Sequence, residues 1–314
     1  MRLLVSMALL LSAIWPALGQ TNFISQYNQH PFIVNPAYAG FQGDQVVNLW
    51  NRNSYSRFTN VDFTSAWAAY NAPLDEEGTH GIGFHVFFEQ EQFGFSETFG
   101  ANGVYAFNAE LDENTDLRLG LGIGFGRRAD SILVPSGGGI FGTDVNIYGA
   151  LSAGILLATG NWEFGIGAHN ANQPRYDLDI GQSRVIRQIL YGIVRYHYEV
   201  QEGLEVIPGF QIRRIGQDRT VSLQVDTDIR VMDKFTIGGG FRVSRFGQSV
   251  FFINGIQYNS NINYFIARIG ADLAGGTTAF VSYDTPLRTN SLIQPASIVF
   301  GFLEAGFAIS FSEL

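Results

Sequence analysis

Residues 117–125, LRLGLGIGF, alternate strictly. Leu117, Leu119, Leu121, Ile123 and Phe125 share one face, and Arg118, Gly120, Gly122 and Gly124 share the other. A period of two places successive side chains on opposite faces of a β-strand. The pattern returns at 161–168, where Trp162, Phe164, Ile166 and Ala168 oppose Glu163, Gly165 and Gly167. It returns at 220–231, where Val221, Leu223, Val225, Ile229 and Val231 oppose Ser222, Gln224, Asp226, Asp228 and Arg230. The closing stretch AGFAISF repeats it with Ala305, Phe307, Ile309 and Phe311. Similar segments fall near 45–55, 60–71, 79–89, 96–108, 145–157, 188–198, 203–213, 235–244, 249–258, 262–272, 277–284 and 297–303. Turn signals separate many of them, as at Asp112-Glu113-Asn114 and Gln201-Glu202-Gly203. No helical period of useful length interrupts them, so the chain reads as one all-β domain.

Each strand carries one apolar face that must be covered. A soluble sandwich covers it with a second sheet, and an outer-membrane barrel covers it with lipid. Three features favour the barrel. The strands run about 9–11 residues, which spans a bilayer at a tilt. The opposite faces are polar and charged, as a watery lumen requires. Aromatics gather at strand ends, as in Tyr196 with Tyr198 and Phe251 with Phe252. Long connections at 127–144 and 169–187 alternate with short ones at 158–161 and 199–203, which predicts outer loops and periplasmic turns respectively. About fifteen segments are countable. Bacterial single-chain barrels use even numbers. The expectation is therefore an antiparallel up-and-down barrel of 14 strands, with one strand divided in two somewhere in 249–303.

The beginning of the chain sets the compartment. MRLLVSMALLLSAIWPALG, residues 1–19, has Arg2, an apolar run and Ala17-Leu18-Gly19, which reads as an export leader cleaved before Gln20. No Cys follows, which excludes a lipoprotein leader. Removing Arg2 leaves 18 basic against 28 acidic side chains, a net charge of −10. That balance argues against nucleic acid as the partner. An exported domain with a small core usually needs disulfides, and this one contains no Cys, so it closes by other means. No later apolar run is long enough for a helical span.

Several stretches resemble chemical motifs. GLGIGFG at 120–126 repeats glycine every second residue and opens no helix, so it is a strand with a small inner face. Asp112, Asn114 and Asp116 have calcium-loop spacing, but Leu117 and Ile123 stand where such a loop needs Gly and Glu. His80 and His85 are five apart and face opposite ways on a strand. Nothing calls for a cofactor, a metal or a catalytic set. The polar inner faces remain. Glu205, Gln211 and Arg213 lie on one strand, Asp226, Asp228 and Arg230 on the next, and Arg242 on the third. They read as a salt-bridged lumen network or as a solute-selecting constriction.

FIVNPAYAG, Phe32 to Gly40, is a poor strand and a poor helix. Pro31 and Pro36 restrict His30 and Asn35 to extended or turn geometry. Gly40 permits a sharp reversal into the first strand. Phe32, Ile33 and Tyr38 need burial, which the periplasmic mouth of a barrel offers. The segment reads as a strap, either a packing plug or a partner-docking site through Phe32, Asn35, Pro36, Tyr38 and Gly40. The expected division is a leader at 1–19, a strap at 20–44 and a barrel at 45–314.

The same stretch carries a family resemblance. Ser25-Gln26-Tyr27 followed by Asn35-Pro36-Ala37-Tyr38-Ala39-Gly40 resembles the N-terminal signature of the PorP/SprF family, outer-membrane proteins of the type IX secretion system of Bacteroidota. LWNRNSYSRF at 49–58 and Asn71-Ala72-Pro73-Leu74 continue the likeness, as do GIGFHV at 81–86 and the glycine-alternating strand. The likeness is specific over about 26–125 and architectural afterwards. The 249–303 region is longer than usual, and the tail SFSEL lacks a terminal aromatic. The resemblance implies a non-catalytic secretion component without cofactors. Its implied surroundings are outer-membrane lipid, periplasmic peptidoglycan-binding or ring-forming proteins of the machinery, and a secreted surface adhesin. The competing expectation is a transport barrel for small or hydrophobic solutes.

Overall fold

The computed structural model describes residues 26–41, 43–55, 64–91, 96–133, 140–177, 183–216, 220–232, 234–245, 251–253, 256–258, 262–273, 276–287 and 301–311. The expected leader at 1–19 lies outside them. The barrel strands in chain order are β1 (Val46–Tyr55), β2 (Thr64–Pro73), β3 (His80–Glu91), β4 (Ser96–Asp112), β5 (Thr115–Leu133), β6 (Ile140–Thr159) and β7 (Trp162–His169). Then follow β8 (Ile189–Tyr196, continued by Tyr198–Gln201), β9 (Leu204–Ile215), β10 (Thr220–Val231), β11 (Phe235–Arg245), β12 (Ile262–Leu273), β13 (Thr277–Leu287) and β14 (Gly301–Ser310). Each pairs antiparallel with its neighbours in sequence, and β1 pairs with β14 from Val46↔Ser310 to Tyr55↔Gly301, which closes the sheet. The result is a closed barrel of 14 strands.

The count resolves in two ways. Among the described residues, 251–253 and 256–258 pair with each other in a separate two-stranded sheet and with no barrel strand, so they are not part of the wall. Residues 301–303 and 305–310, read above as parts of two segments, lie on one continuous strand, β14. The pair Phe251 and Phe252 therefore belongs to a loop ladder, whereas Tyr196 and Tyr198 stack at the end of β8, with centroids 6.4 Å apart. The stretch 127–144 is also not mostly loop. β5 runs 19 residues and β6 runs 20, which leaves only 134–139 as their connection. Such strands exceed a bilayer crossing of about 9–11 residues and extend the wall beyond one surface. The stretch 169–187 does carry a connection, with its own short ladder of Arg175–Asp177 on Ser183–Val185.

Alternation sorts the side chains as the bilayer demands. Ile123 and Ile147 are 72% and 74% exposed on the outer wall, while their neighbours along the chain turn inward. Leu223 and Val225 face out and Gln224 faces in. One end of the barrel carries the two-residue turns at 113–114, 160–161 and 202–203. The other carries the connections 170–188 and 246–261. Short turns mark the periplasmic end. Gly160 and Gly203 there have positive φ, +53° and +73°, so labels belong on their neighbours. Cysteines replacing Asn161 or Glu202 should react with an impermeant maleimide only after outer-membrane permeabilisation. Cysteines replacing Gly142 or Ala171 should react in intact cells, and the reverse pattern would invert the orientation.

Candidate functional site

The strap is not laid across the mouth but inserted into the lumen. Pro31–Val34 form a one-turn helix, α1, and Pro36–Tyr38 a 3-10 turn. Two prolines at the first helical positions pre-set these turns, and neither can extend into a longer helix. Asn35 joins them in extended geometry, φ −145° and ψ 112°, and its Oδ1 accepts the Ala37 N–H at 3.0 Å. Its Nδ2 donates to the Ile155 carbonyl on β6 at 2.9 Å. Gly40 turns the chain with φ +70°, and a Cβ there would lie 2.7 Å from Gly81 Cα and 2.9 Å from the Ala72 carbonyl oxygen. Its N–H donates to Asn71 Oδ1 at 2.7 Å. Every residue from His30 to Gly40 is buried.

The seat for the strap is glycine. A Cβ on Gly81 would overlap the Ala39 carbonyl. One on Gly120 would overlap Pro36 and Ala37, one on Gly154 the Asn35 amide, and one on Gly167 the Val34 carbonyl. These glycines on β3, β5, β6 and β7 let strap backbone touch wall backbone. Arg118 clasps the result. Its Nη2 donates to the Ala39 carbonyl at 2.7 Å, its Nε to Ala37 at 3.2 Å and its Nη1 to Gly78 on the β2–β3 turn at 3.1 Å.

Aromatic packing holds the other side. His30 stacks on Trp50 with centroids 4.2 Å apart, Trp50 on Trp67 at 5.5 Å, and Trp67 on Phe87 at 4.9 Å. Trp50↔Trp67 and Trp67↔Phe87 are register partners across β1, β2 and β3, so the ladder itself builds the stack. Burial pushes the His30 imidazole down from its ordinary 6.5 to about 3 and holds it neutral. Burial pushes the Tyr27 and Tyr38 hydroxyls up, so both stay protonated donors. Tyr38 Oη donates to Glu163 Oε2 at 3.0 Å, beneath the Arg195 guanidinium, which lies 5.1 Å above its ring and pairs with the same carboxylate.

Three groups of charges among the described residues bear on the strap and on the network read from sequence, apart from the Arg128–Asp130–Arg184 set toward the other end. In the first, Arg268 bridges Asp226 at 3.1 Å and Asp228 at 2.8 Å. Tyr27 Oη donates to Asp226 at 3.1 Å and Asn28 Nδ2 to Asp228 at 2.8 Å, which ties the strap in. In the second, Asp284 joins Arg52 at 3.1 Å to Arg242 at 2.7 Å, and Arg52 also meets Glu304 at 2.9 Å. The third lies near the short turns. Glu205 bonds Arg230 at 3.1 Å and His197 at 2.7 Å, and His197 reaches Glu163 at 2.9 Å.

Of the network read from sequence, Gln211, Arg213, Asp226, Asp228 and Arg242 are buried inside, and Glu205 with Arg230 sits near the mouth. They do not make one cluster. The residues that join them, Arg268, Asp284, Arg52 and Glu304, share faces with Tyr264, Ile266, Trp50 and Phe302, which blurs the polar pattern. The expected watery lumen is filled over the described residues. Gln224 is 1% exposed and donates to Asp226 at 2.6 Å, so an arginine there would have no hydrated space. Phe32, Asn35, Pro36, Tyr38 and Gly40 do come together, but inside. Tyr38 is 1% exposed, in place of the accessible aromatic expected of a docking anchor.

The neutral His30 makes the strap pH-sensitive. A released imidazole titrates at its ordinary 6.5 and the seated one at about 3. Seating is therefore fully favourable above pH 6.5 and weakens as pH falls toward 3. At pH 5 the loss is about 2 kcal/mol, roughly thirtyfold in the released fraction. Limited proteolysis at pH 7 and 5 should show the strap loosening, and His30→Phe should flatten that slope. His85 stays buried in both proteins and His169 stays 3.2 Å from the Val34 carbonyl in both, so the readout is the difference between them. An unchanged slope in the variant would remove His30 from the account.

A family model for the type IX secretion system membrane protein PorP/SprF matches residues 18–271. The chain belongs to the PorP/SprF family. As a barrel of this family the protein resides in the outer membrane and is a membrane component of type IX secretion. No curated protein matches it. Among solved structures, a Pseudomonas aeruginosa FadL homologue superposes with a TM-score of 0.55 at 11% identity, covering 87% of this chain and 91% of that one. The CymD monoaromatic hydrocarbon channel gives 0.52 at 6% identity, covering 90% and 92%. The Pseudomonas putida toluene transporter TodX gives 0.50 at 9% identity, covering 92% and 94%. At these identities the likeness is one of fold, and this PorP/SprF barrel shares its architecture with outer-membrane barrels of other roles.

Proposed function

We propose that this PorP/SprF protein is a closed, non-catalytic anchor in the outer membrane. In this reading it holds periplasmic secretion or gliding machinery through a peptidoglycan-binding or ring-forming partner, or retains a secreted adhesin at the surface. The proposal includes a cleaved leader over 1–19, a strap over 20–44 and a barrel over 45–314. One observation carries it. The strap occupies the periplasmic part of the lumen and is bonded to wall backbone, to the ring stack and to buried ion pairs at once. A transport route would have to break all three. Phe32, Asn35, Pro36, Tyr38 and Gly40 then serve docking from inside, by fixing where the strap leaves the barrel.

The channels that share the fold raise the competing reading of a hydrophobic-solute barrel. The chamber outward of the strap, lined by Ile33, Trp67, Phe87, Tyr148 and Tyr191, measures about 100 Å³, room for little more than a few waters. Planar-bilayer recordings separate the two readings. The purified protein should not conduct. Photocrosslinkers at Glu113 and Glu202 should trap periplasmic machinery in the native host, and one at Ala171 should trap a surface protein. A conducting barrel that yields no adducts would overturn the anchor.

A further inference from the structure

The periplasmic end carries a groove that the strap alone does not explain. It measures about 580 Å³ and lies between the strap exit, at Gly40, Phe41 and Gly43, and the β2–β3 turn. Phe41, Pro73 and Leu74 give it apolar surface, and Leu74 is 56% exposed. Asp75, Glu76, Glu77 and Asp116 give it charge. Two of these carboxylates are used. Asp75 accepts the His80 N–H at 3.1 and 3.2 Å, which shapes the turn, and Asp116 accepts from Asn108 Nδ2 at 3.0 Å. Glu76 and Glu77 are exposed and form no ion pair among the described residues. Arg118 is the groove's cation, and it is 3% exposed with its donors on three carbonyls. The same end is mainly acidic, with Glu110, Asp112 and Glu113 on the next turn and Glu199 and Glu202 beyond, while the exposed Arg230 and Lys234 sit across the barrel from the groove on β10 and the turn that follows it.

We infer that this groove docks a cationic segment of a periplasmic protein, with Lys or Arg on Glu76 and Glu77 and an apolar side chain on Leu74. The inference rests on the anchor reading and names the chemistry of its partner. The acidic field steers and orients such a segment, and the exposed leucine supplies contact that charge cannot. A second copy of this chain would bring the same acidic end and be repelled. The Arg118 clasp makes the groove continuous with the strap, because the guanidinium that holds Ala37 and Ala39 also holds Gly78 of the groove wall.

The test uses the full-length protein in detergent and a fluorescent decapeptide of alternating Arg and Leu, read by polarisation. Binding should weaken as salt rises. Glu76→Lys with Glu77→Lys should lower affinity about tenfold or more. Glu110→Lys with Glu113→Lys makes the same charge change on the neighbouring turn and should lower it less than about threefold. Leu74→Ser should weaken binding several-fold at constant charge. All these positions are exposed, and heat-modified gel mobility checks that each barrel is folded. Equal losses in the two double variants would mean a diffuse field with no groove. An unaffected Leu74→Ser or absent peptide binding would overturn the inference. A conducting wild-type barrel would defeat the anchor reading while leaving a positive peptide result standing, so the two failures are distinguishable.

Discussion

Replacing Gly120 and Gly154 together by valine should expel the strap and turn a silent barrel into a conducting one. Both positions are strand interiors whose inward Cβ would occupy strap atoms: Pro36 and Ala37 at one, the Asn35 amide at the other. Overpacking costs about 1–3 kcal/mol per site, and the neighbour that must yield is backbone at Gly120. Valine suits a strand, so the wall itself should persist. The measurements are single-channel conductance and protease sensitivity at Tyr27 to Phe41. Gly149→Val is the control, because nothing lies within 4 Å of its Cβ position on the outer face. A double variant that stays silent with its strap protected would mean that the glycine seat is not what holds the plug.

Removing the Asp284 carboxylate should be the most damaging single change to the wall. Asp284 is 1% exposed and is shared by Arg52 and Arg242. Asp284→Ala takes the shared carboxylate from two buried guanidiniums, Arg52 and Arg242, and leaves Glu304 on Arg52. Breaking a buried pair from one side costs about 3–5 kcal/mol, because the remaining charge loses its compensation. Glu205→Ala breaks contacts to Arg230, 46% exposed, and to His197, 34% exposed, both screened by water, and should cost about 1 kcal/mol or less. Urea titration of refolding into lipid vesicles gives both numbers. Similar costs would show that water reaches Asp284 and screens it.

Much of this protein is written in its local pattern. Strict alternation at 117–125 and 220–231 gave the strands and both of their faces, because a period of two admits one sorting once a single face is apolar. Arg118 and Glu163 were visible as inward charges for the same reason. The prolines and Gly40 marked the strap as a turn unit, since φ restriction and φ freedom are local properties. The family was legible in the six residues Asn35 to Gly40. Strand ends were not. β5 and β6 continue past the bilayer span, and alternation does not say where lipid stops. Residues 251–253 and 256–258 fall in a segment read as a wall strand, yet among the described residues they pair with each other and not with the barrel, because pairing partners are set by closure of the whole sheet.

What only the tertiary structure decided is how the lumen is filled. From the sequence, the glycines of GLGIGFG are small inward residues. Only the folded chain shows that Gly120, with Gly81, Gly154 and Gly167, was left without side chains to admit a segment about 80 or more residues away in sequence for Gly120. Tyr38 reads from the sequence as an aromatic needing burial, and only the fold shows that Glu163 and Arg195 receive it. Arg268 lies among apolar neighbours and gains its meaning from Asp226 and Asp228 two strands away. A strand's period reveals which way a side chain points. Which charges then meet across the lumen depends on barrel closure and register, and these are long-range properties of all 14 strands together.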